Sequence, residues 1–198
     1  MSINVQNFIL GPALFYVNVF GAAEPLDSAV TSPNGGIYQP PGGSWLDAGG
    51  TNNGVNLEVD TTYTDLECDQ LPMNPGARLT ALTAQVTTKL AEMTLANINT
   101  ALNQITAQGQ GAGFATLDVV VGAASTQPLY AALIIDGWAP ALVTGAPARR
   151  RAIVRKTLSK AKVVLGYDKK TQQGLDCTFG AYWISNSVNP IHVVDQQM

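Results

Sequence analysis

Residues 55–63 alternate with a period of two, placing Val55, Leu57, Val59, Thr61 and Tyr63 on one face and Asn56, Glu58 and Asp60 on the other. Successive side chains of a strand point to opposite sides, so this period predicts an extended strand with one face covered. After Thr64 the phase slips by one. Leu66 and Cys68 then point one way and Asp65, Glu67 and Asp69 the other, which predicts a turn or bulge near Thr64. A loop follows over 70–77, punctuated by Pro72, Pro75 and Gly76, and alternation returns over 82–90 with Leu82, Ala84, Val86, Thr88 and Leu90 on the apolar side.

Further strands are expected at 12–20 (PALFYVNVF), 129–136 (LYAALIID) and 175–184 (LDCTFGAYWI), and in two pieces within 149–165 that break near Ser159 and Lys160. Helical spacing occurs once. Leu95, Ile98, Leu102 and Ile105 form one stripe, predicting a helix over 92–108 that ends at Gly109, Gly111 and Gly113. Strands, one helix, then strands, without βαβ alternation, describe a mainly β chain: an antiparallel sandwich or barrel with one flanking α-helix. At 198 residues it is read as a single domain, 1–198, with a long Gly/Pro-rich loop at 21–54 and a C-terminal tail at 185–198. A loop of that length is usually functional or disordered, and its Tyr38 and Trp45 suggest docking on a neighbouring subunit.

The residues offer little for chemistry. The one histidine, His192, lies between Ile191 and Val193 in the tail, and Cys68 and Cys177 sit in separate strand-like runs, so no metal or redox spacing is present. GQGAG at 109–113 follows a helix instead of a strand and reads as a helix stop, not a phosphate loop. No catalytic residue, cofactor or metal is therefore expected. No run of about 18 apolar residues would cross a membrane, and the N-terminus lacks a basic-then-apolar leader, so a soluble protein made in the cytoplasm is expected.

Charge is sparse but uneven. Only 13% of residues are charged, and neutral polar groups are cheaper than charges to desolvate in protein contacts. Residues 1–148 hold eleven acids against Arg78 and Lys89, whereas 149–198 hold nine bases against Asp168, Asp176 and Asp195. Arg149, Arg150, Arg151, Arg155 and Lys156 are the candidate basic contacts between subunits, since head-to-tail association pairs unlike patches. The other reading of both runs is a solvated strand face. The basic run also suits a nucleic-acid footprint, against which stand an acidic whole chain and the absence of interleaved aromatic residues.

Three segments, in this order, resemble the tail tube (major tail) proteins of siphophages, within the fold family shared with contractile tails and the type VI secretion tube. They are DAGGTNNGVNLEVDTTYTDLECDQ (47–70), PGARLTALTAQVTTKLAEMTLANINTALN (75–103), and the basic RRRAIVRKTLSKAKVVLGYDKK (149–170) with the closing LDCTFGAYW. The resemblance spans about 45–195 and carries no invariant catalytic motif. It implies a β-sandwich with a flanking helix, six copies of which form a ring, and rings stacked into a hollow tube through which viral DNA is ejected. A tape-measure protein, a tail terminator and tail-tip proteins are the implied partners, and the virion tail is the implied location. Glu58, Asp60, Asp65, Glu67 and Asp69 become candidates for the lumen lining, where carboxylates repel passing phosphates. Tyr38 and Trp45, in the long loop, become candidates for contact between rings.

Two other classes compete. A β-sandwich binding or decoration module would use Tyr38, Trp45, Trp138 and Trp183 as a stacking platform. A small hydrolase would use paired carboxylates of the acidic strand.

Overall fold

A computed structural model describes residues 11–30, 41–67, 69, 73–103, 106–111, 113–119, 128–140, 148–170 and 172–196. Ten strands and one α-helix are present among them, and eight of the strands form one antiparallel sheet. They are β1 (Leu14–Val19), β2 (Leu46–Asp47), β3 (Thr51–Leu66), β4 (Gly76–Leu90), β7 (Ala131–Ala139), β8 (Ala148–Ser159), β9 (Leu175–Ala181) and β10 (Ile191–Asp195). Spatial order runs β2-β1-β7-β8-β9-β4-β3, and β10 also pairs with β8. β8 is the hub. One edge pairs with β7, and the other takes β10 along Arg150–Val154 and then β9 along Thr157–Ser159.

Both faces of the β1-β7-β8 half are covered, as the alternation of its side chains shows. Phe15, Val17, Leu133 and Val154 enter a core shared with Val86 and Leu90 of β4 and Leu175, Cys177 and Phe179 of β9. The sheet therefore curls so that its two halves pack together. On the other face Tyr16, Ala132, Ile134 and Ile153 form a second cluster with Trp45. The segment after β1 lies over this outer face. Trp45 Nε1 donates to the Ala23 carbonyl at 3.1 Å, Arg155 Nη2 donates to Glu24 Oε2 at 2.9 Å, and His192 Nε2 is 3.0 Å from Asp27 Oδ1.

The expected helix over 92–108 is cut to α1 (Leu95–Ala101). Thr94 caps it by accepting from the Asn97 amide at 3.2 Å, and Ile98 and Ala101 enter the shared core. A seven-residue helix is too short to stand alone, so this anchoring maintains it. Its stop is Asn103, not a glycine. Asn103 adopts a φ of 56°, and its side chain brackets the end of β8, donating to the Ser159 carbonyl at 2.8 Å and accepting from the Ser159 amide. Beyond it the chain forms a separate hairpin of β5 (Thr106–Gly111) and β6 (Phe114–Val119), with Gly113 at a φ of 88° in the turn. Gly109 and Gly111 are strand residues here. Ile105 lies outside the described residues.

Two further expectations are corrected. The run 161–170 is exposed or half-buried coil, because β8 ends at Ser159 and only Val163 reaches the core. The tail contributes β10, whose ladder with β8 runs from Ile191↔Val154 to Asp195↔Arg150.

Candidate functional site

The β3–β4 hairpin is built from the two longest strands of the sheet, 16 and 15 residues. Sixteen residues at about 3.3 Å each span roughly 50 Å, whereas strands of globular cores run about 17–20 Å. Its base packs normally: Val55 and Leu57 lie against the shared core and Val86 is fully buried. Near that base Asn53 and Gly54, at φ 68° and 75°, form a register shift, and the Gly54 carbonyl accepts from Thr88 Oγ1 at 3.0 Å. Past Glu58 every residue of β3 is exposed, as is every residue of β4 before Ala84.

The distal half is thus an arm, and its apolar stripe continues the core stripe into solvent. Val59↔Ala84, Thr61↔Leu82 and Tyr63↔Leu79 are cross-strand pairs on that face. Val59 is 52% exposed, Tyr63 60%, Leu79 51% and Leu82 51%. A two-stranded ribbon is marginal by itself in water, and uncovered apolar side chains along it lack the burial that would stabilise it. β3 also forms the outer edge of the sheet, paired only with β4 in the described strands. Such an edge is a template for another chain.

The five acidic candidates do not share one face. Glu58 and Asp60 lie together beside Thr83 and Gln85, and Gln85 Nε2 donates to Glu58 Oε2 at 2.7 Å. The expected irregularity is present between Thr62 and Tyr63, but the partner numbers pass from Ala81 to Leu79, so the extra residue is Thr80 of β4. β3 keeps its phase, which puts Asp65 on the face of Val59 and Tyr63. Asp65 accepts from Asn74 Nδ2 at 3.3 Å, and Glu67 and Asp69 are exposed at the tip. Cys68 lies outside the described residues.

The basic candidates are corrected more deeply, because most of their charge is used inside the chain. Asp136 of β7, 1% exposed, holds Arg149 Nη2 at 3.2 Å and Arg151 Nε at 2.8 Å. The Arg149 guanidinium also lies 4.8 Å from the Trp138 ring centroid. Arg155 is bound in bidentate fashion by Glu24. Lys156 sits with Nζ 4.5 Å from the Tyr130 ring and 5.5 Å from that of Phe20. Arg150 Nε and Nη2 donate to the two Asp195 oxygens, each at 2.6 Å.

The last pair gives a pH signature. Hydrogen bonding from Arg150, opposed by desolvation and helped by charge attraction, holds the Asp195 carboxyl below its ordinary value. A lowered folded pKa contributes stability that is present above the unfolded value, about 3.9, and is lost as pH falls through the folded one. Melting temperatures of wild type and Asp195→Asn are expected to differ at pH 7 and to converge below about pH 4. A gap as large at pH 2 as at pH 7 would refute this origin.

Of the loop candidates, Trp45 is 9% exposed and packs in the chain's own second cluster. Tyr38 lies outside the described residues. Of the aromatic residues named for a stacking platform, among the described residues Trp45 is buried, Trp138 faces Arg149, and Trp183 is well exposed. Burial pushes the Cys177 thiol up to about 12, which keeps it protonated and unreactive. Among the described residues, no helix is long and apolar enough to cross a membrane, and no three His, Cys, Asp or Glu side chains gather as a metal site.

Sequence reasoning missed the exposed face of the arm. Its period-two pattern is identical to that of a buried strand; the available signal was length, since fifteen or more strand residues outrun a domain of this size.

The fold and the arm together define a mainly antiparallel β protein with one short helix and a projecting hairpin. No protein-family model matches the chain, and no curated protein matches it significantly.

Proposed function

We propose that this chain is a structural subunit that assembles with copies of itself into stacked six-membered rings, forming a hollow tail tube through which phage DNA passes. The arm is the observation that carries this reading. A long free edge and an uncovered apolar stripe are what a subunit needs if its hairpin is to be completed by neighbours. The curled antiparallel sheet with one helix agrees with the fold expected from the resemblance. Glu58 and Asp60, with the neutral Thr62, Thr64, Thr83 and Gln85 and one cation, Arg78 opposite Thr64, supply a face suited to a lumen, since its carboxylates repel phosphates and it offers them no row of cations. Asp65, Glu67 and Asp69 lie elsewhere on the arm and are left to contacts between copies. A virion location and the tape-measure, terminator and tip partners belong to the same proposal.

Electron microscopy of the purified protein across a concentration series tests it. Rings or hollow tubes wider than duplex DNA are expected. A protein that stays monomeric at high concentration and with its tape-measure protein would refute the reading.

A further inference from the structure

The coil joining β8 to β9 is another part of the described surface where exposed apolar groups and charge coincide. Val164, Leu165 and Tyr167 are exposed, Tyr167 to 95%. Lys162, Lys169 and Lys170 flank them in sequence against Asp168 alone, while Lys160, at the start of the coil, shares a surface hollow with Glu58 and Asp60 of its own chain. The coil is nonetheless anchored. Val163 packs on the shared core, the Lys160 amide donates to the Thr178 carbonyl at 2.7 Å, and Lys160 Nζ lies 5.1 Å from the Tyr182 ring.

The arm is its complement. It carries Glu58, Asp60, Asp65, Glu67 and Asp69 against Arg78, together with the bare Val59, Tyr63, Leu79 and Leu82. Internal pairing removes Arg149, Arg150, Arg151 and Arg155 from consideration as receivers, which leaves the coil lysines as the exposed cationic run. The tip cannot meet the far part of the coil in its own chain. The coil ends at Leu175, opposite Leu90, whereas the tip lies beyond Gly76 at the other end of the fifteen-residue β4, roughly 45 Å away.

We infer that the arm of one copy docks on the coil 160–170 of a second copy, head to tail, with Asp65, Glu67 and Asp69 against the lysines and Tyr63, Leu79 and Leu82 against Val164, Leu165 and Tyr167. The inference rests on the self-assembly reading and names its contact. Two different surfaces meet, so the contact is heterologous: each docked copy still presents a free arm or a free coil, and growth continues or closes into a ring. Unlike charge sets the pairing and the apolar groups hold it.

Charge exchange tests this in the full chain. Asp65→Lys/Glu67→Lys/Asp69→Lys reverses the tip, and Lys162→Glu/Lys169→Glu/Lys170→Glu reverses the coil. All six positions are exposed, so circular dichroism and melting are expected to match wild type. In sedimentation velocity each triple variant is expected to associate at least about tenfold more weakly than wild type, and the chain carrying both sets is expected to recover. Recovery supports docking of arm on coil, because it requires the two surfaces to meet. A wild type that assembles while the coil variant assembles equally well, or a sixfold variant that fails to recover, overturns this contact and leaves the self-assembly reading intact. A wild type that never associates overturns the reading itself.

Discussion

Asp136→Ala is expected to lower stability by about 3–5 kcal/mol, which lowers the melting temperature by about 6–20 °C in a chain of this size. The carboxylate is 1% exposed and lies between Arg149 and Arg151, whose side chains are themselves buried. Removing it leaves two guanidinium groups in the interior with their desolvation uncompensated, and that penalty is larger than the net value of the intact triad. The distinction is measurable. Asp136→Ala combined with Arg149→Met and Arg151→Leu is expected to regain most of the lost stability in urea unfolding, since apolar groups of similar volume no longer need a counter-charge. A single-variant loss under about 1 kcal/mol would mean that water reaches the arginines once the carboxylate is gone.

Phe179→Ala is expected to cost a similar amount, about 3–5 kcal/mol, by a different route. Phe179 of β9 is 1% exposed, and its ring centroid lies 5.8 Å from that of Phe15 of β1, tilted by 40°. These rings come from the two halves of the curled sheet. Truncating one removes apolar burial and leaves a cavity at the place where the halves meet. Phe179→Leu refills most of the volume and is expected to cost about 1.5 kcal/mol or less. Urea midpoints of the two variants with unchanged m-values test the ordering; equal, small losses would show that β9 does not pack against β1 through this ring.

Both predictions depend on groups whose separate strands were legible and whose meeting was not. The apolar, aromatic run in 12–20 and the run at 129–136 located β1 and β7, because β-branched and aromatic residues in a buried strand leave a local signature. The basic run was also found, but not the partners that its arginines take within the chain. In sequence, Arg155 is 131 residues from Glu24, and no local pattern joins them. Only the placement of the segment after β1 across the outer face brings that carboxylate to β8, as it brings Asp27 to His192.

The helix failed for a related reason. Leu95, Ile98, Leu102 and Ile105 carry a regular stripe, and local propensity alone would continue it. Asn103 instead exchanges hydrogen bonds with Ser159, and that tertiary capture ends the helix at a left-handed residue. The acidic strand shows the limit of periodicity most clearly. Alternation states that a strand has an apolar face and a polar face; it does not state whether anything covers the apolar one.

By itself, then, the sequence determined the antiparallel β class, the positions of most strands and the absence of βαβ order, because those follow from near-neighbour spacing. The tertiary structure alone decided that four arginines are paired internally with Asp136, Asp195 and Glu24, that the C-terminal run joins the sheet, and that the β3–β4 arm projects uncovered. Each of these depends on which distant surfaces meet, and the free energy of burial or charge pairing is set by that meeting and not by the residues on either side of it.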